Sequence, residues 1–167
     1  MERKNEDIRI LEETYSSLQA ESINVAMELG KYKSDWLRVV CNDFGRGVVA
    51  KRNIPKGQPL CMYNGELVTY TEGRKRCATG KTPFLFFFKI HERSWCLDAS
   101  EENFTFGRLI NHGRRAANVK PEACNDANGR PAVRFVALMD IPAGSELLYD
   151  YGERDPSVLK ENPWLRD

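Results

Sequence analysis

Residues 146–154 read ELLYDYGER. Tyr149 and Tyr151 flank Asp150, and Gly152 follows at once. On an extended chain, residues two apart point to one face. The stretch therefore sends two phenols toward one place, at a strand end beside a turn. Packing alone would account for such a pair. So would a chemistry that needs two hydroxyls around one small atom.

The surrounding chain reads as mainly β. WLRVV and GVVAKRNI are expected strands joined by the turn NDFGRG, and CMYNGELV is an expected strand followed by a break. Residues 70–79 suit a short helix. FLFFFKI and SWCLDA suit a hairpin across HERS, and residues 116–131 read as strand end and loop. AVRFVALMDI alternates as a strand does, and PAGSELLYDYG is a turn plus strand. SVLKENPWLRD suits a short terminal helix. At the other end Ile8, Leu11, Tyr15 and Leu18 recur at helical steps, and a second helical stretch ends at Gly30. Short strands with Gly and Pro turns predict a mainly β domain over 35–153. A helical arm is expected over 1–34, and a flanking helix over 154–167.

Composition excludes several classes. Of 167 residues, 41% are hydrophobic and 29% charged, as in an ordinary globular protein. No apolar run approaches the roughly 20 residues of a membrane span, and MERKNEDIRI lacks the apolar core of a signal peptide. A cytosolic or nuclear setting without a membrane partner is expected. The five cysteines form no CxC or CxxC pair, so no metal site is expected and free thiols are. Charge is segregated. Residues 1–30 and 140–167 each carry three basic and seven acidic side chains, leaving 19 basic and 10 acidic between them. A basic middle with acidic ends could meet a polyanion and a basic peptide, or be an ordinary solvated surface.

Only two histidines are present, His91 and His112, and no Ser–His–Asp or metal-ligand spacing surrounds either. The glycine turn at 45–47 matches no phosphate-binding or dinucleotide fingerprint. Asn111-His112, in GRLINHGRR, offers donors and acceptors at a strand-to-loop corner.

GRLINH (107–112), followed some 35 residues later by ELLYDYG (146–152), resembles the signature of SET-domain lysine methyltransferases. FGRG (44–47), YNGELV (63–68) and CLDA (96–99) fall where that family has its other motifs. The likeness covers roughly 35–167. It implies the SET-domain fold: small β-sheets, with a C-terminal pseudoknot that brings the Asn-His and Tyr motifs together. GRLINH, ELLYDYGER, the absence of zinc-binding cysteine clusters and the terminal Pro163-Trp164-Leu165 resemble the subfamily that monomethylates the histone H4 tail.

The resemblance implies S-adenosyl-L-methionine as cofactor. Phe44, Gly45 and Arg46 would line it through the turn, Tyr63 would contact it, and Asn111 and His112 would hold its two ends. Trp164 would cover the adenine. Tyr151 would be the main catalytic tyrosine, and Tyr149, with Phe84, would shape the lysine channel. A tyrosine at the position of Tyr149 favours one methyl per lysine in that family. Phe84 stands where the subfamily has a tyrosine that hydrogen-bonds the substrate amine, and Phe44 where it has a lysine. Met62 replaces an acidic residue, and Gly113 replaces the more usual serine. Implied partners are the histone H4 tail or another basic peptide, and nucleosomal DNA against the basic middle. A monomer in the nucleus is expected. Two alternatives stay open: a catalytically weak or inactive SET-type module that binds chromatin or a basic peptide, and a nucleic-acid-binding β domain built on FLFFF and the basic middle.

Overall fold

The computed structural model describes residues 17–18, 32–42, 45–80, 84–152, 154 and 156–167. Most of the expected N-terminal arm and Phe44 lie outside the described residues; Ser17 and Leu18 are helical. Short strands form four small sheets. β1 (Leu37–Asn42) and β2 (Gly45–Ala50) make an antiparallel pair. β3 (Pro59–Met62), β9 (Pro131–Ala137) and β8 (Val119–Asn125) lie side by side with β9 central. β4 (Glu66–Thr69), β6 (Arg93–Asp98) and β5 (Leu85–Ile90) do the same with β6 central. β7 (Asn111–His112) and β10 (Leu148–Tyr149) form a two-residue parallel pair. α1 spans Tyr70–Ala78, α2 spans Pro156–Glu161, and 3₁₀ turns cover Gly107–Leu109 and Pro163–Arg166.

The mainly β expectation holds, with four local differences. CMYNGELV is two strands in different sheets. Gly65 marks the crossing, where an added Cβ would lie 2.7 Å from the Asp98 carbonyl. Residues 116–131 contain the seven-residue strand β8. Its Pro121 masks the pattern, and is tolerated because β8 is a sheet edge. The β5–β6 turn is tighter than HERS: His91 and Glu92 alone make it, at φ 50° and 63°. The C-terminal helix is two pieces, because Pro163 has no N–H with which to continue α2.

The core gathers Leu37, Val48, Ile110, Phe135 and Leu147, all essentially inaccessible. Each such side chain stabilises the fold by about 1.5–3 kcal/mol. α1 is capped by Thr69, whose hydroxyl accepts from Glu72 N–H at 3.2 Å. It lies close on β6: a Cβ on Gly73 would be 2.5 Å from that of Cys96. Arg76 ties it down through Glu66 (2.6 Å), Asp98 (2.8 Å) and Glu72 (3.0 Å). All five cysteines are free thiols. No described helix is long and apolar enough to cross a membrane.

The 3₁₀ turn at Gly107 brings the GRLINH segment against β3. A Cβ there would lie 2.4 Å from the Met62 carbonyl oxygen and 2.9 Å from Tyr63 Cα. Both are backbone atoms and cannot swing away. Gly107→Ala is expected to destabilise the fold by about 1–3 kcal/mol or more. Urea denaturation checks this; an unchanged midpoint would contradict it.

Candidate active site

Residues 144–149 pass between two neighbours. On one side β2 accepts them: Gly144 N–H donates to Ala50 O (2.7 Å) and Leu147 N–H to Val48 O (2.8 Å). Then β10 turns parallel to β7, with Leu148 opposite Asn111 and Tyr149 opposite His112. Asn118 holds the other side. Its N–H donates to Leu148 O (3.0 Å), its Oδ1 accepts from Leu148 N–H (2.9 Å), and its Nδ2 donates to Glu146 O (2.8 Å). One asparagine thus completes the ladder that a two-residue strand cannot. Gly113 packs directly on Leu148, where a Cβ would meet the leucine side chain at 2.8 Å.

This arrangement opens a cavity of about 400 Å³, within the range of small-molecule sites. Tyr149, Tyr151, Tyr63, Asn111, Arg46 and Phe84 line it, all six foreseen from the sequence. Leu85, Phe86, Phe87, Leu109 and Arg108 complete the wall. The rings of Tyr149 and Tyr151 stand 4.7 Å apart. Tyr149 is buried against Phe135 (4.9 Å) and Phe86 (6.2 Å). Its hydroxyl makes no hydrogen bond among the described residues, and no buried polar side-chain atom among them is orphaned. Tyr151 is 45% exposed overall, but its hydroxyl end is tucked inward and donates to Ile110 O at 3.1 Å. Burial pushes its pKa up to about 12, and raises those of Tyr149 and Tyr63 further. All three phenols are therefore neutral at physiological pH. The proton of Tyr151 is already committed, so its oxygen presents a lone pair.

Asn111 and His112 are fixed by intramolecular bonds. Asn111 Nδ2 donates to Arg46 O (3.0 Å) and Glu146 Oε1 (3.1 Å), which leaves its carbonyl oxygen to offer. His112 Nδ1 accepts from Tyr151 N–H (3.1 Å), which requires an unprotonated Nδ1. The ring proton then sits on Nε2 and donates to Leu165 O at 2.9 Å. His112 thereby links Tyr151 to the C-terminal turn, which Arg115 N–H also holds through Asp167 O. Trp164 stands edge-on to His112 (5.8 Å) and to Tyr151 (6.4 Å), half exposed. Neither His112, Trp164 nor Gly45 lines the cavity itself; Gly45, at φ 97°, begins β2 next to Arg46, which does. Between the tyrosines, Asp150 is held at a pKa of about 2 by Arg154, with Gly152 N–H adding to it.

Three residues were given no role by sequence reasoning. Arg108 is 6% exposed, and its guanidinium lies 4.0 Å over the Phe84 ring. It donates from Nε to Ala99 O (2.8 Å) and from Nη1 to Glu102 (3.2 Å). Glu102 also pairs with Arg46 and takes the N–H of Phe104, which sits strained at φ 53°. Burial would raise the Glu102 pKa, but Arg46, Phe104 N–H and Arg108 hold it low. Asn118 is the third. Arg108 stands within GRLINH, yet a motif does not reveal that an arginine is buried. Asn118→Ala leaves Leu148 N–H and Glu146 O without their partner, at a cost of about 1–3 kcal/mol. Hydrogen exchange is expected to lose protection at Leu148 and Tyr151 while the β5–β6 hairpin keeps its own. Unchanged protection at Leu148 would contradict the assignment.

Comparison with known proteins agrees with this geometry. The SET domain family model matches residues 45–152. The N-lysine methyltransferase KMT5A of Xenopus tropicalis is 37% identical over 128 residues, 74% of this chain and 38% of that protein. Among solved structures, CpSET8 from Cryptosporidium is 32% identical with a TM-score of 0.63, covering 72% of this chain and 59% of that one. The Chaetomium thermophilum polycomb repressive complex 2, bound to S-adenosylmethionine, is 30% identical with a TM-score of 0.56, covering 84% of this chain and 18% of that one. The chain thus spans well under half the length of the curated relative. With the Asn-His and double-tyrosine motifs meeting at β7 and β10, the chain belongs to the SET-domain family.

Proposed function

We propose that this chain is a protein-lysine N-methyltransferase that uses S-adenosyl-L-methionine and adds one methyl to a lysine of the histone H4 tail on nucleosomes. The observation that carries the reading is the pair of neutral phenols, Tyr149 and Tyr151, 4.7 Å apart in one cavity with the Asn111 amide.

The cavity's polar groups suit that cofactor. Arg46 can take its carboxylate, Asn111 Oδ1 its ammonium, and the exposed faces of His112 and Trp164 its adenine. Gly45 precedes Arg46 at the start of β2, and Tyr63 belongs to the cavity lining. When bound, the cofactor would supply an electrophilic methyl on a sulfonium for transfer to the lysine amine. The protein's part is positioning. Tyr151, anchored on Ile110 O, orients the amine with its free lone pair. The aromatic walls from Phe84 to Phe87 exclude water. No strong base is required if the lysine arrives neutral, which fits a cavity that no histidine or carboxylate lines among the described residues. A free lysine, with pKa near 10.4, is neutral only about once in 2,500 at pH 7. Tyr149, whose hydroxyl has no protein partner described, can keep a water where a methylated amine would have to turn, and so limits the product to one methyl.

Substrate and setting follow from charge and topology. β5 is a sheet edge whose Leu85, Phe86 and Phe87 line the cavity, so a basic tail can add as a strand beside it. The acidic C-terminal segment would attract that tail, and the basic middle would rest on DNA in nuclear chromatin. Phe84 supports a second reading, a SET-type module with weak or no activity, because a phenylalanine there cannot hydrogen-bond an amine.

The test is to incubate the protein with S-adenosylmethionine and nucleosomes or free histones, and to read methyl marks by mass spectrometry. One methyl on H4 is expected, with a second appearing in Tyr149→Phe and a rate about 100-fold lower in Tyr151→Phe. No product, despite cofactor binding seen by calorimetry, would overturn the H4 reading and favour the inactive module.

A further inference from the structure

The full charges lining the cavity are two guanidiniums, Arg46 and Arg108; no carboxylate lines it among the described residues. Glu102 stands behind them and pairs with both, so the three groups sum to one positive charge. The other titratable groups at the wall are the neutral phenols of Tyr63, Tyr149 and Tyr151. Tyr32, donating to Glu102, lies behind Arg46. Asp98 is turned away onto Arg76 and Ser100, and Glu146 receives the Asn111 amide; neither lines the cavity. Cys96 lies fully buried in β6. A site meant for a lysine ammonium would carry an acid. This one carries a buried cation pinned against an aromatic wall.

We propose that Arg108 determines the protonation state of the amine the cavity accepts, excluding the ammonium so that the lysine binds neutral and releases its proton to solvent. The inference rests on the methyltransferase reading above. Arg108 is placed for this role by three fixed contacts: the Phe84 ring face at 4.0 Å, Ala99 O at 2.8 Å and Glu102 at 3.2 Å. It cannot swing out to solvent. A like charge in a poorly solvated site disfavours the charged form of its neighbour. Phe84 keeps the charge in place without offering the ammonium a hydrogen-bond acceptor. The same geometry gives Glu102 the opposite sign: its carboxylate cancels one of the two guanidiniums.

The experiment titrates an H4 amino-terminal tail peptide into protein saturated with S-adenosylhomocysteine. Calorimetry across a pH series, in two buffers of different ionisation enthalpy, counts the protons released per peptide bound. A peptide with norleucine in place of lysine sets the zero. Proton release by the wild-type protein is expected to have its midpoint well below the free-lysine value. Arg108→Met should raise that midpoint by about one pH unit. Arg108→Lys should restore it, and Glu102→Gln should lower it. The pH dependence of kcat should move in the same directions, whereas a merely structural role would lower kcat equally at every pH. Should Arg108→Met fail to fold, Glu102→Gln still decides the sign, by a midpoint below that of wild type. Midpoints that coincide with wild type in Arg108→Met and Glu102→Gln would overturn the inference while leaving the methyltransferase reading intact. A wild-type protein that methylates no histone would bring down that reading, and this inference with it.

Discussion

Two residues of parallel β-pairing, Asn111-His112 against Leu148-Tyr149, are the constraint on which the site depends. So short a ladder cannot hold itself. It is held because β2 grips the approach at Gly144 and Leu147, while Asn118 supplies from one side chain and one peptide unit the bonds of a missing strand. The Asn111, Tyr149 and Tyr151 side of the cavity is set from this point. Tyr151 finds Ile110 O only because β10 runs beside β7. His112 reaches both Tyr151 N–H and Leu165 O for the same reason, and so docks the C-terminal turn onto the site.

The chemistry that this permits is one of placement and desolvation. Burial holds Tyr151 at a pKa of about 12, so it orients and does not take protons. The groups that carry full charge are tied to each other: Arg46 and Arg108 to Glu102, Arg76 to Asp98, Asp150 to Arg154. Such pairing keeps burial of ions tolerable only while every partner remains, since removing one leaves the other uncompensated. The cavity wall is therefore a coupled unit, reaching from the Arg46 turn through Glu102 to Arg108 and Phe84.

Much of this was legible in the sequence, and the limits have physical causes. The period-two placement of Tyr149 and Tyr151 predicted a shared cavity, because alternation is a property of the extended backbone. β8 was hidden by Pro121, whose lost N–H matters little at a sheet edge. The split of CMYNGELV was hidden because the backbone contact between Gly65 and Asp98 joins residues far apart in the chain. Arg108 and Asn118 were visible as letters, but burial and bridging are tertiary facts. The roles of Gly45, His112 and Trp164 could be placed near the site by resemblance, while only geometry shows that they stand beside the cavity and do not line it.

The most direct test of the β7–β10 site is backbone NMR of the protein titrated with S-adenosylhomocysteine, following amide shifts along the whole chain. Saturable changes are predicted at Arg46, Asn111–Gly113, Tyr149–Tyr151 and Leu165, with the Lys56–Lys120–Arg134 groove across the β3–β9–β8 sheet unaffected. Saturable shifts confined to that groove, or none at β7 and β10, would contradict it.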